Sequence, residues 1–246
     1  MHEGNDALNS ITTSPPVHCL LPERSMTSPL LLSLQLALVT ASLLLVLGLP
    51  IACWLAFTRF RLRFLIESLV ALPIVLPPTV LGFYLLLEFG SRGWLGAFWQ
   101  RFTGHTLAFS FEGLVLGSII YSLPFAVQPF TSAFASVDRR LLAASSSLGA
   151  SSWRTFWRIT FPLAFPGIVT GFALSFAHTL GEFGVVLMLG GNIAGRTQTA
   201  SIAIYDNVQM LDYPTAARQS ITLLGISFAL LVLINAFNRK RNWRLQ

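Results

Sequence analysis

Residues 30–57 read LLLSLQLALVTASLLLVLGLPIACWLAF, with no Asp, Glu, Lys or Arg anywhere in the run. A helix rises about 1.5 Å per residue and a bilayer's hydrocarbon layer is about 30 Å thick, so roughly 20 such residues cross it. The run is too long for a cleaved signal peptide and lacks a basic leader, so it is expected to persist as a helix. Working outward, comparable runs occupy residues 68–87, 113–131, 162–190 (interrupted by Glu182) and 219–238.

In lipid the backbone must bond to itself, and these runs lack the strict alternation of a membrane barrel, so each is read as a helix. The expected fold is an all-α integral membrane protein with five transmembrane helices. Composition agrees: 54% of residues are hydrophobic and 11% charged, against roughly a quarter charged in soluble domains, and mean hydropathy is +0.67. Residues 1–25, with Pro15 and Pro16 among Asn, Ser and Thr, are expected to form a flexible polar tail before a transmembrane domain at 26–246. Met26 offers a second start.

The net charge of +6 does not point to nucleic acid, because the basic residues flank apolar runs, where they orient a chain in a membrane. Alternate connections differ sharply. One set carries 11 Lys and Arg, including Arg59, Arg61, Arg63, Arg139, Arg140, Arg154, Arg158 and the cluster from Arg239 to Arg244; the other carries 5. Basic residues are retained in the cytoplasm, which places the amino terminus outside, the carboxyl terminus inside and the connection between spans three and four in the cytoplasm.

That connection, residues 138–162, reads DRRLLAASSSLGASSWRTFWRITFP. Leu141, Ala143, Ala144 and Leu148 share a stripe at helical spacing, Gly149 can end the helix cheaply, and Ser151 or Ser152 can cap a second short helix holding Trp153, Phe156 and Trp157. Two readings fit this composition. One is an interfacial helix with its Trp at the headgroups and its Arg on anionic lipid. The other is a docking helix whose small residues permit close approach to a soluble partner and whose aromatics anchor it.

The segment resembles the loop signature of ABC importer permeases, Glu-Ala-Ala, three residues, Gly, nine residues, Ile, any residue, Leu, Pro. Its slots fall on Ala143, Ala144, Ser145, Gly149, Ile159, Phe161 and Pro162. Ala143 stands in the acidic slot, Ser145 in that of the second alanine and Phe161 in that of the leucine. The resemblance implies a coupling helix, with Ala150, Ser151 and Trp153 added to those slots, seated in a groove of an ATP-binding subunit. Such a lever transmits rigid-body motion only if its ends are packed.

Three further stretches, LPIVLPPTVLGFYLL at 72–86, HTLGEFG at 178–184 and GGNIAGRTQTASIAIYD at 190–206, look like the molybdate permeases of that family. Sulfate permeases are similar in the coupling loop and in a Gly-Glu-aromatic-Gly run, and tungstate is nearly isosteric with molybdate. The assembly so implied is a homodimer around one pathway, with two ATP-binding subunits and a periplasmic oxyanion-binding protein, in the bacterial inner membrane. ATP binding would open the pathway outward and hydrolysis would reverse it.

Pro73, Pro77 and Pro78 can mark a kinked packing helix or a break that frees backbone groups toward a pathway. Glu182, between Gly181 and Gly184, also has two readings. It can bond loosened amides or pair with His178 one turn earlier, or it can belong to a gate with Phe183 as an apolar plug. An unbroken fourth span would carry it roughly 25–30 Å from the start of that span. No cation stands at mid-span, so an oxyanion would pass by amides, hydroxyls or helix amino ends, and the site would be weak.

Other classes find little support. There is no G-x-x-x-x-G-K-[ST] phosphate loop, so ATP hydrolysis belongs elsewhere. Paired intramembrane carboxylates, a Ser–His pair and clustered Asp, which membrane enzymes need, are missing. Internal repeats of a secondary transporter are not evident. His2, His18, His105 and His178 lack metal-ligand spacing, Cys19 and Cys53 suggest no disulfide framework, and no cofactor is expected.

Overall fold

A computed structural model describes residues 27–58 and 60–242; the tail expected at residues 1–25 lies outside the described residues. Every regular element described is helical. The long helices are α1 (Thr27–Phe57), α5 (Phe111–Ala135), α8 (Phe161–Gly181) and α11 (Tyr213–Asn242), joined by shorter α2 (Arg63–Val75), α3 (Pro78–Phe89), α4 (Trp94–Thr103), α6 (Arg139–Ser147), α7 (Ser152–Thr155), α9 (Gly184–Gly190) and α10 (Ala200–Gln209). Four helices are long and apolar enough to cross a membrane, and α2 with α3 forms a fifth candidate bent by 107°.

That bend answers the question posed by the prolines: the second run is broken at Leu76–Pro77 into two helices and is not a single kinked helix. Leu76 sits before a proline and is driven to extended backbone (φ −73°, ψ 136°), as the ring of Pro77 requires. Pro77 is itself extended, and Pro78 then opens α3 at the helix position that needs no N–H.

Helices α1, α5 and α8 form the centre. Their apolar faces meet in one cluster containing Leu44, Leu55, Phe130, Phe134 and Ile168; a second cluster, containing Leu36, Phe89, Leu114, Val185, Leu189 and Ile202, joins α1 and α5 to α3, α9 and α10. Hydroxyls lie inside too: Ser118, Ser122, Ser175 and Thr179 are buried. By contrast Ile221, Leu224 and Phe228 of α11 are exposed, as expected of a surface solvated by lipid or by another membrane helix.

The acidic residues at span ends have specific partners. Glu67 pairs with Arg63 at 3.4 Å, and Glu88 accepts from the Leu95 N–H at 3.0 Å, tying the start of α4 to the end of α3. Glu112 lies in the first turn of α5, where the helix dipole favours a carboxylate.

Candidate functional site

The connection between α5 and α8 is a helical hairpin. Asp138 caps α6, its carboxylate accepting from the Arg140 N–H at 2.8 Å. At the far end Gly149 takes φ +73°, its N–H donates to Ser146 O at 3.0 Å, and the Ala150 N–H donates to Ser145 O at 3.1 Å. This pair of bonds around a left-handed residue is the Schellman closure, which favours glycine. Ser151 then caps α7, accepting from the Arg154 N–H at 3.3 Å.

Its inner side is fastened to the bundle. Ser145 Oγ and Thr155 Oγ1 share a hydrogen bond at 2.7 Å across the turn. Leu142 and Phe156 pack against the core cluster of α1, α5 and α8, with the Phe156 ring 6.1 Å from that of Phe134. The outer side is open: Ala143, Ala144, Gly149, Ser151 and Trp157 are exposed, as are Leu148 at 87% and Trp153 at 72%. Ser145 is therefore an internal staple, whereas Ala143 and Ala144 face outward. Ala150 and Ile159 are half-buried.

Pro162 does not separate the hairpin from the fourth span, as a reading with a new helix starting there would have it. Helical backbone continues from Ser152 to Gly181 through a widened π turn at Phe156–Thr160, where the Phe161 N–H reaches Phe156 O. Pro162 has no N–H to give to the carbonyl four residues back, and a π turn is one way a helix absorbs such a gap. The second hairpin helix and the span are thus one continuous rod.

The same span ends sooner than an unbroken run would. α8 stops at Gly181, Glu182 is extended (φ −66°, ψ 138°), and α9 restarts at Gly184. Here the two helix breaks meet: a Cβ on Gly184 would lie 2.7 Å from Pro78 Cβ. Glu182 is 5% exposed, and neither carboxyl oxygen has a hydrogen-bond partner among the described residues. Ser118 faces the group, but its Oγ also lacks a hydrogen bond of ordinary geometry.

The expected Glu182–His178 pair is not formed. His178 Nδ1 lies 2.9 Å from Ser122 Oγ, and its ring stacks on Phe125 at 3.9 Å. Ser122 Oγ also bonds Thr179 Oγ1 at 2.9 Å. Nor does the carboxyl group hold loosened amides. Phe183 is half-buried and lies 5.1 Å from the ring of Tyr205; Gly181 is exposed. Among the described residues no group of His, Cys, Asp and Glu could hold a metal.

Residues 48–242 match the family of binding-protein-dependent transport system inner membrane components. The chain belongs to that family. It is 49% identical over 212 residues to the molybdenum transport system permease protein ModB of Azotobacter vinelandii, covering 85% of this chain and 92% of that one. It is 34% identical over 210 residues to a probable sulfate transport system permease protein of Chlorella vulgaris, covering 85% and 79%. The fold also resembles an inward-facing structure of the MetNI methionine ABC transporter, with TM-score 0.68 at 17% identity over 93% of this chain and 99% of that one. It is thus a multi-pass membrane permease subunit and not an enzyme.

In this permease the Asn-Ile-x-Gly-x-Thr stretch is a structural loop. Asn192, at φ +56°, donates from Nδ2 to both oxygens of Asp206 at 3.0 and 2.9 Å, and Gln198 Nε2 adds a third bond at 2.8 Å. Thr197 Oγ1 donates to Gly190 O and accepts from the Ile193 N–H at 3.0 Å. These bonds clamp the loop onto α10. The Asp206 clamp and the Ser145–Thr155 staple escape sequence reading, because hydroxyls and amides reveal their partners only once the chain is folded.

Proposed function

We propose that this permease translocates molybdate across the bacterial inner membrane as a homodimer driven by two copies of a separate ATP-binding subunit. Each subunit contributes five spans, the α2–α3 pair counting as one, with its amino terminus outside and its carboxyl terminus inside. A periplasmic oxyanion-binding protein supplies high-affinity recognition, since the permease offers no mid-span cation to hold a dianion.

The observation that carries this reading is the hairpin: an exposed apolar apex, Leu148 and Trp153, on a base stapled to the core and continuous with α8. An interfacial helix needs no such mount. A lever pressed by ATPase closure does, because motion at its tip must reach the span without loss. Molybdate is supported by the Azotobacter vinelandii relative, which is named as a molybdenum transport permease. The similarity to a sulfate permease makes sulfate the second reading; uptake of labelled molybdate challenged with sulfate or tungstate separates them.

Gly149 tests the lever. Its left-handed backbone tolerates Asn, while a β-branched residue there costs about 1–2 kcal/mol. Open space surrounds it within the chain, so any loss reflects backbone strain or a blocked partner. Gly149→Asn is expected to keep uptake and ATPase stimulation, and Gly149→Ile to lose both. Normal coupling in Gly149→Ile contradicts the docking role.

We assign the gate to the place where the two breaks meet, with Gly181, Glu182, Phe183 and Gly184 on one side and Pro78 on the other. Glu182 offers no positive charge and is sealed in without a hydrogen-bond partner among the described residues, so it serves to close the pathway and not to bind cargo.

A further inference from the structure

A cavity of about 510 Å³ lies between the end of α1, the start of α2 and the last turns of α5, lined in part by Phe64, Glu67, Ser68, Gln128, Thr131 and Ser132. Its size falls within the range of about 300–1,000 Å³ typical of small-ligand sites.

Position and chemistry say what fills it. At about 1.5 Å per residue, Gln128 stands roughly 10 Å back from the end of α5, inside the depth of a bilayer leaflet. Yet Gln128 and Ser132 are exposed, as is Ser68 on the facing helix. A primary amide cannot face hydrocarbon without losing several kcal/mol of hydrogen bonding, so a polar side chain exposed at that depth faces water or a polar protein surface and not lipid. The cavity is a polar vestibule.

Its neutral polar groups each carry a donor beside their acceptors. Thr131 Oγ1 is committed to Val127 O at 2.8 Å, which leaves the hydroxyls of Ser68 and Ser132 and the amide of Gln128 directed to the vestibule. The carboxylate in the lining, Glu67, is paired with Arg63 one turn away at 3.4 Å, so the rim is not anionic overall. Neutral donors without a full positive charge hold a hydrated tetrahedral dianion weakly, as a transit site requires.

We propose that this vestibule is a low-affinity site on the cytoplasmic side of the pathway, where a tetrahedral oxyanion pauses on donors from Ser68, Gln128 and Ser132 before release. The assignment rests on the transport reading and orientation given above. Phospholipid headgroups carry the same tetrahedral oxyanion chemistry, so the test must separate a free ion from a headgroup.

The experiment uses inside-out vesicles holding the full transporter, with Cys19 and Cys53 replaced by serine and Ser132→Cys introduced. A charged, membrane-impermeant thiol reagent is expected to modify that cysteine, and molybdate at ten times its dissociation constant to slow the reaction about tenfold by mass action. Adding Gln128→Leu weakens this protection roughly threefold to tenfold, the loss of one hydrogen bond. Ser68→Cys, on the opposite wall, gives an independent readout if Ser132→Cys does not assemble. A cysteine that stays unreactive in the bilayer and reacts only in detergent means a headgroup occupies the vestibule; one that reacts at the same rate with molybdate present means no oxyanion binds. Either result overturns the proposal. Right-side-out vesicles of the unmodified transporter, loaded with ATP and supplied with the binding protein, that accumulate no oxyanion contradict the transport reading itself, whereas normal uptake there with an unprotected cysteine removes only this site.

Discussion

Gly184 and Gly149 are both glycines for physical reasons, but the reasons differ. At Gly149 the constraint is conformational, a left-handed turn with empty space around it. At Gly184 it is steric, because the start of α9 rests against Pro78. Gly184→Val therefore forces the two helix breaks apart, and overpacking of this kind costs typically 1–3 kcal/mol. The expected outcome is a permease that still assembles with its ATPase but has lost most of its uptake, read by co-purification and transport in the same preparation. Full uptake in Gly184→Val would mean that the contact between the breaks is not part of the gate. Sequence reading singled out Glu182, since a lone carboxylate in an apolar run is conspicuous. It missed the surroundings, because His178 spends its ring nitrogen on Ser122, which lies 56 positions earlier in the chain.

The elements show where composition informs and where it does not. Uncharged runs announce themselves because lipid excludes charge, and four of those expected coincide with the long apolar helices. The second run reads as uniformly apolar, so only Pro77 and Pro78 hinted at its 107° bend. The end of α8 at Gly181 left no signal in hydropathy, since the residues of α9 are as apolar as those before the break. The π turn was equally hidden, being an adjustment of hydrogen bonding around Pro162. It yields an element-scale prediction. Pro162→Ala restores the missing donor and lets the turn close to α-helical pitch, which rotates α7 relative to α8 and strains the Ser145–Thr155 bond. Stimulated ATPase activity should then fall while the variant still inserts and dimerises; unchanged coupling would show that the π turn has no part in transmission.

At the scale of the whole molecule, the two ends of the bundle do different work. One end carries the Asp206 clamp and the junction of the two helix breaks. The other carries the stapled hairpin and the hydroxyl-lined vestibule. Helix α8 connects them as a rod, from the π turn to the residue before Glu182, so a push on the hairpin is delivered beside the contact of Gly184 with Pro78. The exposed apolar face of α11 is left to lipid or to another membrane helix. This arrangement depends on the hairpin lying in the cytoplasm, where an ATPase can reach it, and a cysteine at its tip tests that directly. With Cys19 and Cys53 removed, Leu148→Cys in oriented vesicles is predicted to react with an impermeant thiol reagent only from the cytoplasmic face, and to be shielded when the ATP-binding subunit is added. Labelling from the periplasmic face would contradict the account.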